Sequence, residues 1–354
     1  MPRTKTQRPA AVALILLGLA ARAEAEQTAA SRLAPLPLDP NAVTVSGLSS
    51  GGAMAVQFHT AHSTLVHGVA VVAAPPYYCA EDAIGNALGR CMKNGAAIPV
   101  EALLQHADRF AREGSVDPAS GMADDRVWLY RGAADPHVHV TVADALERYY
   151  RARTRPANLV RIEREGAGHN FPTAAPDASP CAVGEPPYVA NCGYDAARAL
   201  LEHLYGPLGS VPAKANLAAL RTFDQRTYAA TAGSVSFGDQ GWLYVPEGCK
   251  EGAATPCRLH VVFHGCKQGA TEVGDAFVRR SGYLAAAEAG RVVVLFPQLK
   301  PTMQPLNPLG CWDWWGYEGS GYATRNGPQI EVVRAMIDDL MGRARTDAAN
   351  ADRT

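Results

Sequence analysis

The segment Gly47-Leu48-Ser49-Ser50-Gly51 places a serine at the centre of a Gly-x-Ser-x-Gly motif. In that motif the serine occupies a sharp turn between a strand and a helix, which exposes its hydroxyl for nucleophilic attack. The preceding letters, "AVTVSG", are typical of a β-branched strand, and the following letters, "GAMAVQFHTAHS", are typical of a helix. This context predicts Ser49 as a nucleophile.

A serine hydroxyl is a poor nucleophile until a histidine accepts its proton, and a carboxylate holds that histidine in turn. Asp135 follows a predicted strand at 126–132, at the carboxyl end where the sites of open α/β sheets gather. His169 stands in the Gly-rich segment "EGAGHNFP", after a predicted strand at 157–164. The chain order serine, aspartate, histidine is that of α/β hydrolases. We therefore predict Asp135 as the acid and His169 as the base.

Other residues compete less well for these two roles. Asp-Pro begins many turns, so a plain turn aspartate is the alternative for Asp135. Asp144 falls inside a predicted helix. His137 and His139 are close enough to Asp135 in the chain to be rivals as supporting residues, whereas the other histidines are explained by helices, packing or solvation.

An oxyanion hole needs two backbone N–H groups directed at the carbonyl oxygen on which charge develops. Ser50, the residue after the nucleophile, supplies one of them. The other ordinarily comes from a His-Gly sequence after a strand that precedes the serine. Here the only His-Gly sequence after a predicted strand is "VVFHGC" at 261–266, downstream of the histidine. Relative to the ordinary hydrolase order, the His-Gly element therefore lies after the histidine instead of before the serine.

The remaining pattern alternates strands with helices, which is typical of a parallel sheet. A strand is predicted at 68–76 and helices at 141–152 and around 193–206. The alternating apolar and polar residues of "LRTFDQRTY" and "GSVSFGDQGWLYVP", with Gly238-Asp239 at the centre of the latter, predict an antiparallel hairpin at a sheet edge. Strands at 258–266 and 291–298 follow, with a helix at 281–290 between them. Joining the last helix, "PQIEVVRAMIDDLMG", to the nucleophile strand restores the ordinary hydrolase order. We predict an α/β, circularly permuted α/β-hydrolase fold with a mostly parallel central sheet flanked by helices.

The N-terminus has the layout of a secretory signal peptide, with basic residues, an apolar run at 10–21 and small-residue cleavage sites. An uncleaved anchor is the alternative, although the run is short for a bilayer. Cleavage after Ala25 removes Arg3, Lys5, Arg8, Arg22 and Glu24 and changes the formal net charge from −1 to −4. Such a chain does not attract phosphate, so nucleic acid is not an expected partner, and neither is a membrane after cleavage.

The expected organisation is a single catalytic domain with short flanking segments. It comprises a signal peptide at 1–25, a leader at 26–40, the catalytic domain at 41–345 and a polar tail at 346–354.

Eight cysteines, an even number in a chain with an export signal, favour disulfides over a metal site, and no spacing is Cys-x-x-Cys. Pairs of neighbouring cysteines close short loops at a low entropic cost. The predicted pairs are Cys79 with Cys91, Cys181 with Cys192, Cys249 with Cys257, and Cys266 with Cys311.

Five segments occur in the order "SGLSSGGAM", "YRGAADPHV", "GAGHNFP", "VVFHGCKQ" and "NPLGCWDWW". In these segments the chain resembles the single-domain, circularly permuted secreted polyhydroxybutyrate (PHB) depolymerases, over nearly all of its length after the signal peptide. The resemblance implies Ser49, Asp135 and His169 as a catalytic triad, and the N–H groups of Ser50 and Cys266 as the oxyanion hole. It also implies a secreted serine esterase that cleaves poly(3-hydroxybutyrate) or its oligomers through an acyl-enzyme, without a metal or organic cofactor.

The segment "CWDWWGYEGSGY" places several aromatic residues among glycines, which excludes a regular helix. Aromatic side chains on a loop suit a chain of alternating methyl groups and esters. Packing of the loop on the core is the alternative for about half of the rings. The resemblance implies that a tryptophan of this loop lines the crevice; we favour Trp315, then Trp314, with Trp312 as a third candidate.

The sequence leaves two alternative functions open. "GLSSGGAM" and "HGC" are also similar to feruloyl and acetylxylan esterases, so a secreted carbohydrate esterase is the nearest one. A non-catalytic polymer-binding protein with a vestigial site is an alternative of another class. The expected state is a monomer acting outside the cell, with the periplasm as the other possible destination.

Overall fold

The computed structural model describes residues 32–210, 212 and 215–343, so the predicted signal peptide and polar tail lie outside the described residues. The strands are β1 (Leu38–Leu48), β2 (Val66–Val72), β3 (Arg126–Gly132), β4 (Leu159–Arg164), β5 (Phe171–Thr173), β6 (Ser179–Pro180), β7 (Val189–Asn191), β8 (Leu220–Asp224), β9 (Gln240–Tyr244), β10 (Cys257–Phe263) and β11 (Val292–Phe296). The helices are α1 (Ser50–Ala61), α2 (Ile84–Leu88), α3 (Val100–Arg112), α4 (Val140–Arg151), α5 (Ala196–Tyr205), α6 (Arg226–Ala232), α7 (Ala270–Val273), α8 (Ala276–Arg280), α9 (Tyr283–Gly290) and α10 (Pro328–Leu340).

An eight-stranded sheet in the order β4-β3-β2-β1-β10-β11-β9-β8 organises the molecule. The six strands from β4 to β11 pair in parallel, and β9 and β8 are added antiparallel at one edge. Strand β11, with the sequence "VVVLF", is buried at all five positions, as expected for a strand covered on both faces. The predicted mostly parallel α/β sheet is confirmed. A small second sheet, β5-β7-β6, lies beyond β4 in the chain.

The circular permutation is visible in the position of β1, which lies between β10 and β2 at the centre of the sheet. The segment before β1 packs against the last described helix, α10. The Leu36 N–H donates to the Leu340 carbonyl oxygen at 2.8 Å. Arg32 pairs with Asp339 at 2.6 Å. These contacts join the regions that are continuous in an ordinary hydrolase, so the permuted fold is confirmed.

The predicted edge hairpin is correct in its pairing but wrong in its connection. Strands β8 and β9 pair antiparallel, but helix α6 lies between them, and Gly238 and Asp239 do not form a tight hairpin turn. The alanine-rich letters of "RTYAATA" explain the helix, since alanine is the strongest helix former. The buried Gln225 side chain donates to the carbonyl oxygens of Gly238, at 2.9 Å, and Gln298, at 3.0 Å, and so holds the longer connection.

Helix α1 runs through the interior of the molecule, and all twelve of its residues are buried. It packs on β1, β2 and β10, the central strands. Of the helices that the structure describes, none is long and apolar enough to cross a bilayer. The nucleophile motif therefore stands at the junction of the central strand and the most buried helix.

Candidate active site

Ser49 occupies a strained turn between β1 and α1, with φ 58° and ψ −120°. A non-glycine residue at positive φ is costly and persists where the surroundings impose it. The flanking glycines are required by close packing. A Cβ on Gly47 would lie 2.1 Å from the Gly51 carbonyl oxygen, and a Cβ on Gly51 would lie 2.2 Å from the Phe263 carbonyl oxygen. The motif thus forms the sharp turn that its letters predict, in contact with the end of β10.

The predicted acid and base meet in a hydrogen bond. His169 Nδ1 and Asp135 Oδ2 are 2.7 Å apart. Asp135 Oδ1 accepts the backbone N–H groups of His137, at 2.7 Å, and Val138, at 2.9 Å. Burial raises the pKa of Asp135, but the hydrogen bond from His169 and the two N–H groups outweigh it and hold the pKa below its ordinary value. The carboxylate accepts the Nδ1–H of the imidazole, so the nitrogen of His169 that can act as the base is Nε2.

The loop that carries His169 is held by the segment around β6 and β7. The Gly168 N–H donates to the Cys181 carbonyl oxygen at 2.9 Å. The Asn170 side chain donates to the same oxygen at 2.7 Å and to Val183 at 2.9 Å. The Cys181–Cys192 disulfide closes this segment. The imidazole is therefore mounted on a braced loop.

The His-Gly segment after β10 lies beside the nucleophile, since a Cβ on Gly265 would be 3.6 Å from Ser49 Cβ. Burial lowers the pKa of His264 to about 4, so this imidazole is neutral. Its Nδ1 donates to the Gly265 carbonyl oxygen at 2.7 Å, and its Nε2 accepts the Leu299 N–H at 3.0 Å. The Gln268 side chain accepts the Gly265 N–H at 2.6 Å. His264 and Gln268 thus shape this loop from inside.

Ser49, Ser50, His169 and Cys266 line one cavity of about 680 Å³. The structure thus brings the predicted nucleophile and base together with both predicted oxyanion donors, and Asp135 lies behind the base. Most of the other lining side chains are apolar. They are Leu48, Ala73, Pro75, Ile84, Leu88, Met92, Val138, Pro305, Leu306, Pro308, Leu309, Trp314 and Trp315, with His137, Tyr188, Lys267, Asn307 and Tyr317 among the polar ones.

Trp314 and Trp315 line the cavity as predicted, but Trp312 does not. It is fully buried, with its ring centroid 4.9 Å from that of Phe263 and 5.7 Å from that of Phe237. Packing in the core therefore removes Trp312 from the candidate substrate contacts. The alternative that part of the aromatic loop packs inward holds for this residue.

The aromatic loop is folded around the buried carboxylate of Asp313, a residue without a local signal in the sequence. Its Oδ1 accepts the N–H groups of Trp315, Gly316 and Tyr317 at 3.2, 2.7 and 3.0 Å, and its Oδ2 accepts that of Glu318 at 2.8 Å. Burial raises the pKa of Asp313 to about 6, against the effect of the four donors. An ionised Asp313 at neutral pH thus holds the turn that presents Trp314 and Trp315.

Asp313→Asn is expected to loosen this turn, because an amide offers one acceptor oxygen and turns an NH₂ group toward N–H donors. We expect a severalfold higher KM for an ester that contacts these tryptophans, and a loss of about 1–3 kcal/mol of stability, the cost of leaving buried donors unpaired. Steady-state kinetics and thermal unfolding measure both effects. The solvent-exposed Asp239 supplies a matched control, Asp239→Asn. An unchanged KM would contradict this role.

Two further side chains lie beside the base: His137, which was an alternative supporting residue, and Tyr188, which was not predicted. The Tyr188 ring lies 6.4 Å from that of His169, and the His137 ring lies 5.1 Å from it, both edge to face. His139 instead caps helix α4, and Asp144 pairs with an arginine of β4. Tyr188 has no local signal in the sequence, because it reaches the site through the fold of the small sheet.

All four predicted disulfides form. They are Cys79–Cys91, Cys181–Cys192, Cys249–Cys257 and Cys266–Cys311. Within residues 32–210, 212 and 215–343, no cluster of three or more His, Cys, Asp or Glu side chains is placed to hold a metal ion.

The sheet order, the strained serine turn and the aspartate–histidine pair define an α/β hydrolase. No family model matches the chain. It is 39% identical over 316 residues to a poly(3-hydroxybutyrate) depolymerase of Delftia acidovorans, an alignment that covers 88% of this chain and 62% of that protein. It is 32% identical over 331 residues to a polyhydroxybutyrate depolymerase of Talaromyces funiculosus, covering 90% of this chain and 94% of that protein.

Solved structures agree with these relatives. The crystal structure of the PHB depolymerase from Penicillium funiculosum superposes with a TM-score of 0.81 at 29% identity, over 88% of this chain and 99% of that one. A serine-to-alanine form of a PHB depolymerase complexed with an R3HB trimer superposes with a TM-score of 0.81 at 28% identity. The chain belongs to the polyhydroxybutyrate depolymerase family. It spans 62% of the length of the Delftia relative.

Proposed function

We propose that the protein is a secreted serine esterase that hydrolyses poly(3-hydroxybutyrate) or its oligomers to 3-hydroxybutyrate products. The cavity carries this proposal, because Ser49 and His169 open into a space of about 680 Å³ with a predominantly apolar lining. A polyester of methyl groups and esters matches such a lining, whereas a polysaccharide requires many hydrogen-bonding side chains. The family relationship and the related complex with an R3HB trimer support the same substrate class.

The reaction proceeds in two steps. His169 Nε2 takes the proton of the Ser49 hydroxyl, and the oxygen attacks the carbonyl carbon of a 3-hydroxybutyrate unit. The N–H groups of Ser50 and Cys266 stabilise the oxyanion, as an oxyanion hole does. The tetrahedral intermediate then collapses: the ester C–O bond breaks, His169 gives its proton to the departing alkoxide oxygen, which leaves as a hydroxyl group, and the acyl-enzyme remains. Water, activated by the same imidazole, attacks the acyl-enzyme and releases the acid.

Apolar side chains at the mouth of the cavity are suited to the surface of a solid polyester. Leu88 is 58% exposed and Leu306 is 64% exposed, and both line the cavity, together with Ile84 and Leu309. Exposed apolar side chains gathered at one place indicate a binding surface. This surface surrounds the nucleophile, so it would bring an ester of an adsorbed chain to Ser49.

Replacement of Leu88 and Leu306, the leucines at the mouth of the cavity, tests this surface. The double variant Leu88→Ser/Leu306→Ser is expected to bind PHB film more weakly by about tenfold, since each buried leucine contributes roughly 1.5–3 kcal/mol and only part of it is lost. A film adsorption isotherm measures the effect. Leu217 and Val235 are 50% and 51% exposed outside the cavity, so Leu217→Ser/Val235→Ser is a matched control. Equal adsorption of both variants would contradict the assignment of these leucines to a polymer-binding surface.

We also propose action outside the cytoplasm and as a monomer. Four disulfides support export, because such bonds persist in oxidising compartments. The proposed reaction requires no second chain, because the cavity and the aspartate–histidine pair are formed within one chain.

A panel of substrates tests the proposed function. Purified protein is incubated with PHB film, a 3-hydroxybutyrate trimer, acetylated xylan and a feruloyl ester, and the released acids are quantified. We expect release of 3-hydroxybutyrate or its short oligomers from the first two. Activity on acetylated xylan or the feruloyl ester, with none on PHB or the trimer, would assign the site to a carbohydrate esterase. Activity on none of them would favour a binding protein.

A further inference from the structure

The two proposed oxyanion donors are each tied to the same short segment of a third part of the chain. Cys266 is joined to Cys311 by a disulfide. The Ser50 hydroxyl accepts the backbone N–H of Trp312 at 3.3 Å. The donors belong to separate segments, one after β1 and one after β10. Consecutive residues, 311 and 312, therefore bridge the two halves of the oxyanion hole.

Residues 311 and 312 are themselves firmly placed. The Asn307 side chain accepts the Cys311 N–H at 2.9 Å and donates to the Cys311 carbonyl oxygen at 2.9 Å. The Tyr317 hydroxyl donates to that carbonyl oxygen at 2.7 Å. Asn307 is 1% exposed, and the Trp312 ring packs on Phe263. The bridge is therefore anchored in the core and is not a mobile part of the loop.

A third contact runs parallel to the disulfide. The Lys267 N–H donates to the Leu309 carbonyl oxygen at 2.7 Å. The loop that carries Cys266 is thus held against the segment before Trp312 by a backbone hydrogen bond as well as by the disulfide. By contrast, the other disulfide near β10, Cys249–Cys257, closes a loop at the opposite, amino-terminal end of that strand.

We propose that Cys311 and Trp312 position the oxyanion hole, with the Ser50 hydroxyl and the Cys266–Cys311 disulfide as its two clamps. This inference rests on the proposed serine esterase function. Donors stabilise a developing charge only if they are held close to the productive geometry, within about 0.5 Å. The spacing between the N–H groups of Ser50 and Cys266 is set by the segment that also presents Trp314 and Trp315. The aromatic loop therefore acts on the rate of the reaction as well as on substrate binding.

Two variants release one clamp each and keep both donor N–H groups: Ser50→Ala, and the double variant Cys266→Ser/Cys311→Ser. The matched control is Cys249→Ser/Cys257→Ser, which also removes a disulfide that joins to β10. Hydrolysis of p-nitrophenyl acetate is measured, because this ester needs only an active serine esterase and does not depend on the polymer preference. Thermal unfolding is recorded in parallel.

We expect each released clamp to lower kcat about tenfold, which is less than the roughly 10²–10³-fold cost of deleting a donor. KM is expected to stay within about twofold, since the donors act mainly in the transition state. Both clamps act through one segment, so releasing both should cost less than the product of the separate losses. The control is expected to lose stability and keep its kcat.

Three results would overturn the proposal. They are a wild-type kcat in both clamp variants, a raised KM with unchanged kcat, and a kcat loss in the control equal to that in Cys266→Ser/Cys311→Ser. If the double cysteine variant does not fold, Ser50→Ala decides alone, because it removes a single oxygen: a wild-type kcat, or a raised KM with unchanged kcat, then overturns the proposal. A wild-type protein without esterase activity would overturn the proposed function together with the clamp, whereas an active wild type with unaffected variants overturns the clamp alone.

Discussion

Ser49→Ala is expected to abolish ester hydrolysis, with kcat lowered by about 10⁴–10⁶-fold, the range found when the nucleophile of a serine hydrolase is removed. Alanine has no oxygen to form the acyl-enzyme, while the cavity and its apolar lining stay in place. Acid release from a 3-hydroxybutyrate trimer at constant pH measures the loss.

The matched control for this change is Ser120→Ala, which removes the hydroxyl of an exposed serine. We expect it to retain full activity. Labelling by a fluorophosphonate, which requires an activated serine, should occur in the wild type and the control and be absent from Ser49→Ala. A Ser49→Ala protein that still releases acid at the wild-type rate would exclude Ser49 as the nucleophile.

Asp135→Asn is expected to lower kcat by about 10⁴-fold, as in other serine hydrolases that lose the charge on this residue. The Asp135 carboxylate accepts a hydrogen bond from His169 Nδ1. An asparagine amide can present its NH₂ group to the same nitrogen, which would place the imidazole proton on Nε2 and remove the base. Trimer hydrolysis at pH 7 to 8 measures the effect.

The exposed Asp177 provides the control variant Asp177→Asn, expected to be fully active. The thermal stability of Asp135→Asn should be compared with it, because Asp135 also accepts the His137 and Val138 N–H groups. A kcat reduced by less than tenfold in a folded Asp135→Asn protein would contradict the role assigned to the carboxylate, given the loss of about 10⁴ expected.

Features that depend on residues contiguous in the chain were predictable. Strand β3 was predicted over the residues it occupies, 126–132, because a buried apolar run is a local signal. The strained turn at Ser49 follows from its glycines, which pack too closely to carry a side chain. Three of the disulfides join near neighbours in the chain, and the fourth, Cys266–Cys311, takes the remaining pair. The circularly permuted order of the elements was predictable because each motif still follows directly on a predicted strand.

Features that depend on distant contacts were not predictable. Asp313 accepts four N–H groups of its own loop, but its letter alone does not distinguish it from an exposed loop aspartate. Trp312 and Trp314 are two residues apart, yet only one reaches the cavity, because Phe237 and Phe263 enclose the other. A longer connection that contains helix α6 replaced the tight turn predicted at Gly238-Asp239, since two short strands can pair across a long connection as well as a short one.

The central position of β1 has a consequence for biosynthesis. This strand is translated well before its partner β10, which begins at residue 257, more than 200 residues after β1 ends at Leu48. One edge of the nascent sheet, apolar and with unpaired backbone groups, therefore stays open while the intervening residues are made. Open strand edges invite association between chains. Keeping β1 from associating with other chains until β10 is made therefore matters more in this permuted order than in an ordinary hydrolase, where the two strands are close in the chain.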